Sequence, residues 1–179
     1  MAAVAGRYAR AFAEVVAARK MAPEKTAEEL TQIAALVGSS HELSNVFSNP
    51  AVEHKQKIGL LDAIIKKMGG TQVLRNFVAV VIDHKRVGQI GDIAEQFKRE
   101  MNERMGIAEA RVSSARELTA AEKKSLEQRL AAVTGKTIRA TYSEDAALLG
   151  GAVVRIGSTI YDGSVRGQLE RLKEDLVSG

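Results

Sequence analysis

The spacing of the apolar residues changes at Gly106, and this change constrains the fold more than any other feature of the sequence. Before Gly106 the apolar residues recur with the period of amphipathic helices, in one segment after another. After Gly106, stretches that alternate between polar and apolar residues, as half-buried strands do, separate two helical segments. The pattern predicts an α+β chain of two domains: a six-helix all-α bundle over residues 1–105 and a small α/β domain over residues 106–179.

Short polar residues mark where several of these helices begin. Thr26, followed three residues later by Glu29, predicts a capping box at the start of the second helix. Thr71 predicts the cap of the fifth helix. Thr119 with Glu122 predicts a second capping box, at the start of the helix that follows the first strand. In the second domain the resulting order is strand, helix, strand, a hairpin of two strands, and a final helix.

The residue types that support catalysis are sparse and scattered. The chain has no cysteine, and His41, His54 and His84 lie too far apart in the sequence to predict a metal site. The stretch 135–137, Gly-Lys-Thr, lacks the earlier glycine and the strand-before-helix order of a phosphate-binding loop. We therefore expect no catalytic residue, no cofactor, no metal and no small-molecule substrate. A small hydrolase that uses Asp83 with His84 stays as a rival hypothesis.

Charge and aromatic content bear on the partners. The net charge is +4, the aromatic fraction is 4% and tryptophan is absent, so a stacking platform for nucleic acid is not predicted. A basic two-domain interaction module stays as the alternative function. The longest apolar run, residues 77–82, is far shorter than the roughly 20 residues that a membrane-spanning helix needs. The run of apolar residues in the fifth helix indicates either burial or a groove that receives a partner helix.

Three motifs near the C-terminus carry a family resemblance. They are Gly151-Ala-Val-Val-Arg-Ile-Gly157, Tyr161-Asp-Gly-Ser-Val-Arg166 and Gln168-Leu-Glu-Arg-Leu172. Arg7-Tyr8-Ala9, Asn49-Pro50 and Asn76-Phe77 agree with it in order and spacing. Together they resemble the delta subunit family of bacterial F-type ATP synthases, whose mitochondrial relative is the oligomycin-sensitivity-conferring protein.

The resemblance implies a non-catalytic stator subunit of a proton-translocating complex. Residues 1–105 would bind the catalytic head by receiving the N-terminal helix of an alpha subunit between the first and fifth helices. Residues 106–179 would bind the end of the b-subunit peripheral stalk. No nucleic acid is implied. The subunit would lie at the cytoplasmic face of the bacterial cell membrane, attached only through the complex.

The resemblance also implies two sets of site residues. The groove candidates are Tyr8, Ala11, Phe12 and Val15 on the first helix and Phe77, Val80, Val81 and His84 on the fifth. The signature residues, expected to be structural, are Gly151, Arg155, Gly157, Asp162, Gly163 and Ser164. Asp162 and Ser164 are interpreted as a cap where the last strand meets the last helix. For Arg155 and Arg166, pairing with acids of the same domain and pairing with the stalk both stay open.

Overall fold

A computed structural model describes the backbone of residues 2–178 and the side chains of residues 4–173. Within this range the N-terminal part is helical and the C-terminal part is a four-stranded sheet with two α-helices, as predicted. The N-terminal α-helices are α1 (Ala2–Ala18), α2 (Pro23–Ser39), α3 (His41–Ser48), α4 (His54–Met68), α5 (Gln72–Asp83) and α6 (Ile90–Arg104). The C-terminal elements are β1 (Ile107–Ser114), α7 (Ala120–Thr134), β2 (Thr137–Glu144), β3 (Ala152–Ile156), β4 (Thr159–Asp162) and α8 (Val165–Ser178).

The chain divides into two compact units, Met1–Met101 and Asn102–Gly179. The division lies inside α6, whereas the sequence pattern placed it after residue 105. Asn102, in the last turn of α6, is buried. Its Nδ2 donates a hydrogen bond to Oε1 of Glu109 in β1, at 3.0 Å.

The core of the first unit is built from the apolar face of each helix. Its largest fully buried side chains include Phe12 of α1, Leu30 of α2, Phe47 of α3, Leu61 of α4, Leu74 of α5 and Phe97 of α6. The ring of Phe12 stacks on Phe77, with 4.0 Å between centroids, and lies 4.8 Å from that of Phe97. Phe12 therefore joins α1 to both α5 and α6.

The start of α2 differs from its prediction. The helix begins at Pro23, whose fixed φ suits the first helical position, and Ala22 before it provides no side-chain cap. Thr26 lies inside the helix, where its Oγ1 donates to the carbonyl of Ala22 at 2.9 Å. The predicted capping box of Thr26 and Glu29 is therefore wrong. The Glu29 carboxylate is instead buried against α5, where it accepts a hydrogen bond from the backbone N–H of Thr71 at 3.4 Å.

The predicted caps of α5 and α7 are confirmed. Thr71 accepts the backbone N–H of Leu74 at the start of α5, at 3.3 Å. Thr119 and Glu122 form the reciprocal capping box of α7: Thr119 Oγ1 accepts from the backbone N–H of Glu122, and the Glu122 carboxylate accepts from that of Thr119. Arg116 adds a salt bridge to Glu122, with 2.6 Å between Nη2 and Oε1.

The sheet of the second unit has the strand order β2-β1-β3-β4. The β1–β2 pair is parallel, with α7 as the crossover, and the other two pairs are antiparallel. Ala110, Val112 and Val154 point to one face, where Leu130 of α7 packs on them. Tyr142 on the same face donates to Oε1 of Glu127 at 2.8 Å, and burial is the main cause that raises the pKa of its hydroxyl to about 12. One face of the sheet is thus covered by α7.

We expect the Glu122 capping box to make the second unit sensitive to acid. Hydrogen bonds from Arg116 and then from Thr119 lower the pKa of Glu122 from 4.5 to about 2. Because the folded pKa is depressed, the stabilisation is fully present above about pH 4.5 and is lost as the pH falls towards 2. Glu122→Gln should flatten the decline of the urea midpoint over this range. Glu117→Gln is the matched control, and an identical decline in both variants would contradict the assignment.

Candidate functional site

Helices α1 and α5 lie side by side and antiparallel in the first unit. Phe12 stacks on Phe77, while four residues earlier in α1 the ring of Tyr8 meets His84 edge-on, with 6.2 Å between centroids. Beneath these contacts Ala5 and Val81 pack together in a small buried cluster. Ring contacts from two successive turns of α1, at Tyr8 and Phe12, therefore reach α5 and the residue that follows it.

An apolar strip lies on the surface above this contact. We define the strip by six residues, on neighbouring turns of the two helices and at the C-cap of α5: Tyr8, Ala11, Val15, Phe77, Val80 and His84. Val15 is 41% and Val80 44% exposed, whereas Tyr8 and Phe77 are half-buried. A helix run of about seven residues spans roughly 10 Å, so the strip extends over about two helical turns.

Two of the eight groove candidates do not reach this surface. Phe12 is 1% exposed and Val81 is fully buried, so both belong to the buried core of the first unit. Phe12 and Val81 recur with the same helical spacing as the exposed candidates, because on each helix the core-facing side lies directly next to the side that forms the strip.

The margin of the strip on α1 is polar. An open depression of about 420 Å³ is lined by Gly6, Arg7, Arg10, Ala11 and Glu14. It shares only Ala11 with the strip. The surface thus has an apolar centre and a charged border, the arrangement typical of a protein interface.

The Asp83–His84 pair of the rival hydrolase hypothesis is not formed. Asp83 contacts His54 of α4 instead, with 3.0 Å between Oδ1 and Nδ1. Nδ1 of His84 lies 2.9 Å from the backbone carbonyl oxygen of Val80. Because a carbonyl oxygen only accepts, the nitrogen is the donor of this hydrogen bond. The two side chains have different partners, so they do not form an acid–base dyad. The His54–Asp83 contact joins α4 and α5, and sequence reasoning missed it because the residues lie far apart in the chain.

The C-terminal signature forms a tight joint between β4 and α8. Oδ1 of Asp162 accepts from the backbone N–H of Ser164 at 2.8 Å and from its hydroxyl at 2.7 Å. Ser164, which is 1% exposed, then caps α8 by accepting from the backbone N–H of Gly167 at 3.0 Å. The Ser164 side-chain hydrogen bond is the main cause that lowers the pKa of Asp162. The interpretation of this pair as a structural cap agrees with these bonds.

Glycines allow the chain to approach itself at this joint. Gly151 has φ +73°, and a Cβ placed there would lie 2.2 Å from the carbonyl oxygen of Gly163. The backbone N–H of Gly163 in turn donates to the carbonyl of Ala152 at 3.1 Å. The structure therefore brings together four signature residues, Gly151, Asp162, Gly163 and Ser164. Gly157 lies apart in the β3–β4 turn, and Arg155 lies on the uncovered face of the sheet.

We expect Asp162→Ala to destabilise the second unit by about 1–2 kcal/mol, because it removes the acceptor that orients the buried Ser164. Asp162→Asn keeps an acceptor at Oδ1 and should cost less. The thermal midpoint of each variant measures this. If Asp162→Ala kept the full midpoint and yet abolished assembly with partners, Asp162 would be a contact residue rather than a cap.

Within the described residues, no group of three or more His, Asp or Glu side chains has the proximity needed to hold a metal ion. None of the helices in the described range is both long enough and apolar enough to cross a membrane.

Comparison with known proteins covers nearly the whole chain. The family profile described as "ATP synthase delta (OSCP) subunit" matches residues 4–176. Two relatives named ATP synthase subunit delta are 44% identical over 176 residues, in Koribacter versatilis, and 43% identical over 177 residues, in Acidobacterium capsulatum. These alignments cover 98% and 99% of this chain, and the same shares of the relatives.

A solved structure is similar in fold. A chain of the Toxoplasma gondii mitochondrial ATP synthase hexamer, determined by cryo-electron microscopy, matches with a TM-score of 0.70 over 97% of both chains, at 19% identity. The profile and the relatives above 40% identity identify the family. The chain belongs to the ATP synthase delta (OSCP) subunit family.

Proposed function

We propose that the chain is the non-catalytic stator subunit of a proton-translocating F-type ATP synthase, where it joins the catalytic head to the peripheral stalk. The observation that carries the proposal is the exposed apolar strip between α1 and α5, in a chain of this family. Rotary synthesis requires that the head does not turn with the rotor. A stator therefore needs contacts that dissociate slowly, and large apolar contacts between helices provide them.

The head contact is assigned to the strip. Its occupant is the amphipathic N-terminal helix of an alpha subunit, bound by the helix-in-groove mode. Val15 and Val80 provide apolar area that is still in contact with water, and its burial favours binding. Tyr8 and His84 are also at this surface, and their polar atoms suit its border.

The stalk contact is assigned to the second unit. Val165, Leu169 and Leu172 recur at helical spacing on α8, and Leu169 is 53% and Leu172 56% exposed. An exposed apolar helix face of this kind is typical of a docking surface. The end of the b-subunit stalk is the proposed occupant. The subunit would then lie at the cytoplasmic face of the bacterial membrane, held there only through the complex.

Isothermal titration of the full chain with a synthetic peptide of the alpha-subunit N-terminal helix tests the head contact. We expect saturable one-to-one binding with micromolar or tighter affinity. Tyr8 belongs to the strip, so Tyr8→Ala should weaken the binding. If the folded chain bound neither this peptide nor the isolated catalytic head, the proposal would be wrong.

A further inference from the structure

We infer that the uncovered face of the sheet binds carboxylates of an acidic helix at the end of the peripheral stalk. This inference rests on the proposed function and adds the chemistry of one partner. Its centre is a pair of arginines, Arg111 of β1 and Arg155 of β3, which lie directly opposite each other in the antiparallel register. We call this surface the arginine face and define it by Arg111, Arg155, Thr141 and Ile160.

The register and the burial pattern place these four residues on one face. The neighbours of Arg111 along β1, Ala110 and Val112, are buried under α7, so Arg111 points to the opposite side. Thr141 of β2 is the partner of Arg111 in the parallel pair, and Ile160 of β4 is the partner of Arg155. All four side chains are exposed. The arginine face is therefore in contact with solvent.

Neither arginine has an acidic partner in the part of the chain that the structure describes. Arg166, by contrast, forms a salt bridge with Glu170 on α8, with 3.2 Å between Nε and Oε1. Glu109 also points to this side of the sheet, but it lies opposite Arg139 in the register and accepts a hydrogen bond from Asn102. The sequence left open whether Arg155 and Arg166 pair with acids of the same domain or with the stalk. In the structure Arg166 pairs within its own helix, and Arg155 is available to a partner.

Two like charges directly opposite on neighbouring strands repel each other and destabilise the sheet. A bound carboxylate relieves this repulsion, and each guanidinium can hold it through two parallel N–H donors. Opposite Cα atoms in antiparallel strands are about 5 Å apart, close to the roughly 5–6 Å between side chains one helical turn apart. A partner helix with two acidic residues on successive turns therefore fits the pair. The exposed Ile160 beside Arg155 would receive an apolar side chain of the same helix.

The same surface favours a protein over a nucleic acid. A phosphate backbone is bound by many basic residues along a groove, usually with aromatic side chains on which bases stack. Here the face carries three arginines, Arg111, Arg139 and Arg155, and Arg139 lies opposite the acidic Glu109 in the register. The tyrosines of the sheet, Tyr142 and Tyr161, alternate to the other face. The acidic helix is the occupant that this arrangement fits.

The double variant Arg111→Gln with Arg155→Gln tests the inference. The probe is the purified soluble part of the b stalk subunit from the same ATP synthase, titrated against the full chain at about 50 mM and about 500 mM salt. We expect at least about tenfold weaker binding at low salt, and a much smaller difference at high salt, where charge pairs are screened. The thermal midpoint of the variant should equal or exceed that of the parent, because the repulsion is gone.

The matched control is Lys124→Gln with Arg129→Gln, which removes the same charge from exposed positions on α7, the helix that covers the other face. It should change stalk affinity less than twofold. Equal affinity of the parent and the arginine variant would overturn the inference and leave the proposed function intact, as would an equal loss in the control. A parent chain that does not bind the stalk at all would overturn both. Loss of binding to a labelled DNA duplex, with stalk binding unchanged, would assign the face to nucleic acid instead.

Discussion

Val80→Asp should weaken binding of the alpha-subunit helix by about 30-fold or more, equivalent to about 2 kcal/mol. Val80 is 44% exposed in the centre of the apolar strip, so the free chain tolerates a polar side chain there. In the complex the new carboxylate would be buried among apolar groups without a hydrogen-bond partner, and that burial is costly. Isothermal titration with the helix peptide measures the loss.

The second unit offers a matched control for this change. Val133 is 69% exposed near the end of α7, as Val80 is near the end of α5. Val133→Asp therefore makes the same substitution in a similar helical position, outside the strip. It should leave peptide affinity unchanged. An equal loss in the two variants, or no loss in a folded Val80→Asp chain, would remove the strip as the head-binding surface.

Gly151→Ala should destabilise the second unit by at least about 3 kcal/mol. The residue has a positive φ, which costs about 1 kcal/mol or more for any side chain. In addition its Cβ would lie 2.2 Å from the carbonyl oxygen of Gly163, and a backbone atom moves only if the joint opens. The joint holds the cap of α8, so we expect the whole C-terminal part of the small domain to loosen. Hydrogen exchange of the amides of β1 and β3 measures this.

Gly157 isolates the steric part of that effect. It also has a positive φ, +59°, but no atom lies within 4 Å of a Cβ built on it. Gly157→Ala should therefore cost only the conformational part, about 1 kcal/mol. Equal destabilisation by Gly151→Ala and Gly157→Ala would show that the close approach of Gly151 to Gly163 does not determine the stability of the joint.

Periodicity predicted the order and type of the elements because burial imposes it directly. The change at Gly106 marks the change from helices to sheet, and Gly106 itself ends α6 with a positive φ. Capping was predictable only where the cap is local. Thr119 with Glu122 is such a case, whereas Glu29 is used by a helix more than forty residues away. Local sequence contains no signal for that contact.

The candidate site was predictable in part for the same reason. Helical spacing placed Tyr8, Val15 and Val80 on the right sides of their helices, but it could not separate the surface from the core at Phe12 and Val81. That separation depends on which neighbours α1 and α5 have. The arginine face could not be predicted from the sequence either. Alternation shows that Arg111 points away from the core, but only the strand register shows that it lies opposite Arg155.

In the proposed function, this chain holds the head against the torque of the rotor. The most direct test compares ATP hydrolysis with ATP-driven proton pumping in inverted membrane vesicles from which this subunit alone has been removed. Without the chain, the head should hydrolyse ATP while pumping is lost, and added purified chain should restore pumping. Pumping that stays at the parent level without the chain, under conditions where the head still hydrolyses ATP, would show that the chain is not the stator.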